Sequence, residues 1–213
     1  MRNTFPHLLA ACTLGLLVAI LSGCASSPPA KFYLLSAVTG QTVESRDVPH
    51  QGSMVVSIGP LRIPDYLDRS QIVTRSENNE LKLAEFDRWA GSIENDIIRV
   101  LVEDISAQLP PDHFFVIRWT PFLDSQLPSS YRVEMSVNRF EGALDGPVTL
   151  KAQWGIFDKD KKLLFHQESV VVEQVNGNGY GAFVSAMSRA IEKLSMDVAN
   201  EIKTYGGQKA SLK

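Results

Sequence analysis

The chain has 213 residues, with 21 Lys and Arg against 24 Asp and Glu and a formal net charge of -3. A mildly acidic chain with no Lys/Arg block makes a poor nucleic-acid binder, and the same balance argues against tight electrostatic adhesion to anionic headgroups. The two cysteines, Cys12 and Cys24, leave no thiol beyond residue 24 for a disulfide, a thiolate metal site or a nucleophile.

The first element is an apolar run from Leu8 to Leu21. It falls short of the ~20 apolar residues that a membrane span requires and has the length of a signal h-region. Its basic flank is thin, with Arg2, the free amine and His7. The run closes on Leu21-Ser22-Gly23-Cys24, where small residues precede a cysteine as a lipoprotein signal peptidase requires. Residues 1–23 are therefore expected to be cleaved. Cys24 is expected to become the first residue, carrying a diacylglyceryl group on sulfur and a palmitoyl group on its amine. Two or more acyl chains give stable anchoring where one does not. The next residue is Ala25 rather than Asp. An aspartate there usually marks inner-membrane retention in lipoproteins of this type, so Ala25 favours the outer membrane.

Residues 24–30 read as the lipidated N-terminus and a short proline-containing linker. Residues 31–207 read as a single domain and 208–213 as a loose polar tail. Lys31 to Leu35 reads as a first strand and Thr39 to Ser53 as a loop. Met54 to Ile58 is a β-branched second strand, and Gly59-Pro60 is expected to break it. Leu61 to Asp68 should continue in extended form, because Ile63 precedes Pro64 and is biased away from helix. Gln71 to Arg75 and Glu80 to Ala84 form a hairpin around Asn78-Asn79. Ile93, Ile97, Val100, Leu101, Ile105 and Leu109 mark one face of a helix. Ser92 is placed to cap it, Trp89 to pack its start against the hairpin, and Pro110-Pro111 to end it.

His113 to Trp119 reads as an apolar strand. Tyr131 to Asn138, Val148 to Ile156 and Leu163 to Val175 alternate as an antiparallel meander, with a polar turn at Asp158 to Lys162. Phe183, Met187, Ala190, Ile191, Leu194, Val198 and Ile202 mark a second helix that Gly206-Gly207 should end. The expected fold is α+β: one mixed, mostly antiparallel sheet with two amphipathic helices packed on one face.

Catalytic chemistry finds no support. His50, His113 and His166 have no ligand spacing, and no Gly-x-Ser-x-Gly elbow occurs. Asp158-Lys159-Asp160 lacks the glycine and distal glutamate of a calcium loop and reads as a turn. Gly177-Asn178-Gly179-Tyr180-Gly181 lacks the spacing and the βαβ setting of a phosphate loop, and reads as a strand-to-helix connection with partner contact as the other reading. The proline-stiffened stretch from Pro60 to Arg69 has two readings, an interaction edge or a covered edge whose prolines block aggregation. Its candidate contact residues are Arg62, Pro64, Asp65, Tyr66, Asp68 and Arg69. No metal or cofactor is expected.

Cys24 with its preceding residues and Lys31-Phe32-Tyr33-Leu34-Leu35 resemble the ABC-type transport auxiliary lipoproteins. So do the stretch from Ile63 to Val73, Phe86-x-x-Trp89, Arg139-Phe140-Glu141-Gly142, Leu150-x-Ala152-x-Trp154 and Ala186-Met187-Ser188. Members often carry a proline where this chain has Ser70. The resemblance implies an outer-membrane lipoprotein facing the periplasm. Its partner would be an inner-membrane-anchored protein with MCE (mammalian cell entry) domains that carries lipid across the envelope. The resemblance supplies no catalytic residues. Self-association into a ring would suit a partner that is itself a symmetric tube. The alternatives are a lipid-binding carrier with its own cavity, acting without an MCE partner, and an envelope hydrolase.

Overall fold

A computed structural model describes residues 27–37, 49–76 and 79–210, with the side chains of 207–210 left aside. The chain divides into two compact units, Met1–Ala30 and Lys31–Lys213. Of the first, only residues 27–30 are described, and they form neither helix nor strand. Cys24 lies outside the described residues.

The second unit is α+β. Its strands are β1 (Lys31–Tyr33), β2 (Met54–Arg62), β3 (Gln71–Arg75), β4 (Leu81–Trp89), β5 (Phe114–Arg118), β6 (Tyr131–Gly142), β7 (Val148–Asp158) and β8 (Leu163–Glu173). Its helices are α1 (Ile93–Gln108), α2 (Pro121–Gln126) and α3 (Gly179–Ala210). The strands make two sheets rather than the single sheet expected: a three-stranded one ordered β1-β4-β3 and a five-stranded one ordered β5-β2-β6-β7-β8. The β3–β4 hairpin is antiparallel, and its third strand, β1 at the start of the domain, lies parallel to β4.

The five-stranded sheet is parallel around β2 and antiparallel through the β6-β7-β8 meander. Along β6 and β7 the buried residues alternate: Tyr131, Val133, Met135 and Val137, then Val148, Leu150, Ala152, Trp154 and Ile156. Helix α1 packs on β2 and β5, α3 packs on β7 and β8, and the two helices pack on each other. The stripe from Phe183 to Ile202 is buried as its spacing requires. The Ser92 hydroxyl accepts the Asn95 N–H at 3.4 Å and caps α1. Trp89 ends β4 opposite Tyr33 and is buried.

Three local expectations give way. Strand β2 runs through Gly59-Pro60 to Arg62. The register with β6 shifts between Ile58 and Leu61, and Gly59 takes φ +121 there, a conformation that L side chains rarely adopt. A bulge leaves a residue unpaired, so proline's missing N–H costs no ladder bond. Helix α3 continues through Gly206-Gly207 to Ala210. A Cβ at Gly206 would stand 2.5 Å from Phe114 Cζ, so that glycine serves close packing rather than termination. Helix α2, missing from the expected order, starts at Thr120, whose hydroxyl accepts the Leu123 N–H at 3.1 Å, with Pro121 as its first residue.

Candidate docking site at the Pro64–Arg69 turn

Beyond β2 the chain folds back instead of remaining extended. The Leu67 N–H donates to the Pro64 carbonyl at 2.9 Å and the Arg69 N–H to the Leu67 carbonyl at 2.8 Å. Leu67 is buried and fastens the turn to the core, while Ile63 and Tyr66 pack against that core half-buried. Arg62, Asp65, Asp68 and Ser70 are exposed, and Pro64 and Arg69 are half-buried.

Tyr66 ties this turn to the larger sheet. Its hydroxyl donates to Glu141 Oε2 at 2.7 Å. Glu141, next to the last residue of β6, has no exposed side-chain surface. Its Oε1 accepts from Arg75 Nε at 2.6 Å, and Arg139 Nε lies 2.9 Å from the same oxygen as an ion pair without hydrogen-bond alignment. The Phe140 N–H donates to Oε2 at 3.0 Å. A buried carboxylate is tolerated only with such partners. Burial and the bond to Glu141 push the Tyr66 hydroxyl up to about 12, so it stays protonated and donates. The bond to Glu141 likewise raises the Arg75 guanidinium, against the opposing effect of burial. The carboxylate thereby joins β3, β6 and the turn.

A second polar lattice fixes the start of the domain. The Tyr33 hydroxyl donates to Asp87 Oδ1 at 2.6 Å, and that bond is the main cause of its rise to about 12. The Leu35 N–H donates to Asp96 Oδ2 at 2.6 Å, and Arg99 Nη2 donates to the Leu35 carbonyl at 2.5 Å. The Ser36 N–H donates to Ser188 Oγ at 3.1 Å. Residues 31–36 therefore lace β4, α1 and α3 together. The Gly177–Gly179 connection meets Leu144 and Asp145 of the β6–β7 turn around an open cleft of about 370 Å³.

The six sequence-derived candidates thus lie together, Arg62 at the end of β2 and the other five on the turn, but they divide in role. Arg62, Asp65 and Asp68 point to solvent, Pro64 and Arg69 shape the rim, and Tyr66 is committed to the interior. Sequence reasoning had no role for Glu141, whose hydrogen-bond partner Tyr66 is 75 residues away. Its only trace in the sequence was its place in Arg139-Phe140-Glu141-Gly142, one of the stretches that carry the family resemblance, which says nothing of its partners. Among the described residues, no group of three or more His, Cys, Asp or Glu could hold a metal. His50, His113 and His166 are exposed on separate segments. No described helix is long and apolar enough to cross a membrane.

This two-sheet α+β architecture also occurs in solved structures. One, of an uncharacterised protein, superposes with a TM-score of 0.67 at 19% identity, covering 82% of this chain and 99% of the other. A second, from Xanthomonas campestris, gives 0.63 at 16% identity, covering 86% and 100%. Those likenesses concern the fold alone. By sequence, residues 33–199 match the model of the ABC-type transport auxiliary lipoprotein component, and the chain belongs to that family. It is also 25% identical over 186 residues to the intermembrane transport lipoprotein PqiC of Escherichia coli, covering 86% of this chain and 92% of that one. The PqiC of Shigella flexneri matches equally. The family is one of transport auxiliary lipoproteins, not of enzymes.

Proposed function

We propose that this chain is an outer-membrane-anchored periplasmic lipoprotein that serves an MCE-type intermembrane lipid transport system as an accessory subunit and so maintains envelope integrity. Acyl groups on Cys24 would supply membrane residence, and the folded domain would supply a protein-binding surface. The family match and the likeness to a lipoprotein named for intermembrane transport support this reading. The observation that carries the docking role is the Pro64–Arg69 turn. It is fastened by Leu67 and the Tyr66–Glu141 bond, yet presents Asp65 and Asp68 to solvent beside Arg62 at the end of β2. A surface already rigid before binding loses little conformational freedom on association. Assembly of several copies into a ring would repeat this surface around a tubular partner.

Crosslinked pull-down of the tagged full-length protein from native membranes tests the proposal, with Cys24→Ala as the control for anchoring. Recovery of an MCE-domain protein is the expected result. Recovery of outer-membrane proteins alone would sink the bridge and favour a lipid carrier acting without such a partner.

A further inference from the structure

Strand β1 has an inner and an outer side. Lys31 and Tyr33 sit opposite Asp87 and Trp89, and the Tyr33 hydroxyl reaches Asp87. Leu35, on the same side, is 1% exposed. Phe32 and Leu34 therefore face away from the body, at 65% and 54% exposure. Phe32 pairs with Arg88, and Arg88 pairs across β4 with Gln71 of β3. Phe86, two residues before Arg88 on the same face, is half-buried. Arg88 forms no ion pair with a described residue, and its Nε has no hydrogen-bond partner. Two large apolar side chains stand in water here beside the half-buried Arg88, whose Nε is buried without a hydrogen-bond partner. Leaving such groups exposed forfeits the burial that favours folding and association.

The chain's own length says what lies near this face. Six residues, with Pro28-Pro29 among them, separate Cys24 from Lys31. Even fully extended, that segment spans only about 25 Å. A domain of this length has a radius of gyration of ~16 Å, so the tether is shorter than the domain is wide. Acylation of Cys24 would hold β1 at the bilayer. Aromatic side chains favour the interfacial layer, and apolar insertion adds to a lipid anchor's hold. That mode of contact does not depend on the chain's net charge, which is negative.

We propose that the outer face of the three-stranded sheet, centred on Phe32 and Leu34, rests in the interfacial layer of the bilayer holding the acyl groups of Cys24. This rests on the anchoring stated under Proposed function and adds a second contact to it. The lipid then sets not only where the domain resides but which way it faces. Phe32 and Leu34 enter the headgroup region, and Arg88 meets phospholipid phosphate.

The mature chain holds no thiol besides Cys24, so Phe32→Cys and Leu34→Cys each accept one environment-sensitive fluorophore. Asp160→Cys, in the exposed β7–β8 turn, is the control. Each full-length variant is expressed with lipoprotein processing and reconstituted into phosphatidylethanolamine–phosphatidylglycerol vesicles, with and without spin-labelled phospholipid. Labels at 32 and 34 are expected to shift to the blue and to lose emission to the spin label, while the label at 160 does neither. Spectra at 32 and 34 that match the label at 160, on protein whose acylated Cys24 is verified by mass spectrometry, overturn the proposal and leave the anchor standing. Cys24 found unmodified in protein taken from native membranes overturns the anchor, and this proposal with it. Shielding of 32 and 34 in native membranes but not in vesicles overturns it too, by showing that a protein covers the face.

Discussion

Along β6 and β7 of the five-stranded sheet the inner side chains are apolar for the whole length of the strands, and α1 and α3 cover them. Its polar contacts include the Trp154 indole N–H on Ser169 Oγ at 3.0 Å. Lys193 and Arg189 grip Glu173 at the end of β8 and hold its carboxyl below the usual range although burial pushes the other way. The three-stranded sheet is built differently. Strand β1 has three residues, too few to hold by ladder bonds alone. The sheet's Ile72, Val73, Ala84 and Trp89 join the common apolar core, and to that burial this part of the domain adds long-range polar bonds: Tyr33 to Asp87, Leu35 to Asp96, and Tyr66 and Arg75 to Glu141. Apolar burial is tolerant of detail, whereas a buried carboxylate with fixed partners specifies one geometry. The proposed docking turn and the proposed bilayer face both sit in the polar-fastened region.

If that contrast is right, its sharpest break is Glu141→Ala. Removing the carboxylate leaves Arg75, Arg139 and the Tyr66 hydroxyl around a hole. Arg75 and Arg139 are 24% and 41% exposed and can rehydrate, so the loss falls below that of a fully buried pair, at about 1–3 kcal/mol. Urea unfolding should show that loss, and Arg62, Asp65 and Asp68 should lose protection from proteolysis at their turn. An intact turn after a small stability loss would mean that apolar contacts of Leu67 suffice and the contrast is false. Gly206→Val, at the α3 contact with Phe114, tests the apolar side. Overpacking of this kind costs about 1–3 kcal/mol. It should lower the thermal midpoint while leaving the proteolytic pattern of the turn unchanged.

Tyr66→Phe is milder, removing one hydrogen bond worth about 1 kcal/mol. Its pH dependence is more telling. The Tyr66 hydroxyl titrates near 12 in the folded chain against an ordinary 10.0. A group raised on folding stabilises in full below its unfolded value and loses that contribution as pH climbs through the folded one. The stability advantage of the wild type over Tyr66→Phe should therefore hold up to pH 10 and shrink between pH 10 and about 12. Tyr33, raised to about 12 by its bond to Asp87, cancels in the difference. A gap that stays constant across that window would mean that Tyr66 is not held by Glu141 in solution.

The same contrast decides what could be read from the sequence. Strands β6, β7 and β8 and helix α1 were legible because a face buried on one side imposes a period of two or 3.6, and Ser92 and Pro110-Pro111 punctuate the helix. The lipidation expectation at Cys24 and the assignment of the turn to docking stay proposals, resting on local motif and family. What was not legible depends on distance or close approach. No spacing rule links Tyr66 to Glu141 or β1 to β4. Pro60 looked like a strand break because a bulge cannot be told from a stop without its partner strand. Gly206 looked like a helix stop because Phe114, the ring it accommodates, is remote in sequence. Helix α2 has six residues, too few to display a period, although Thr120-Pro121 carried its start signal.

The smallest effect on stability should accompany the largest effect on function. Arg62, Asp65 and Asp68 are exposed and make no ion pair with a described residue. Surface substitutions away from caps and networks change stability by within about 0.5 kcal/mol. The triple variant Arg62→Ala, Asp65→Ala, Asp68→Ala should therefore melt with the wild type and keep the alkaline behaviour of Tyr66. In the crosslinked pull-down it should lose most of the recovered MCE-domain protein. Rim charges govern encounter more than they govern hold, so the surviving recovery should depend more weakly on salt than that of the wild type. Unchanged recovery from a variant with unchanged stability would move the docking surface off this turn. The open cleft between Leu144 and Gly177 would be the next place to substitute, because it too lies in a connection between elements rather than within the apolar body.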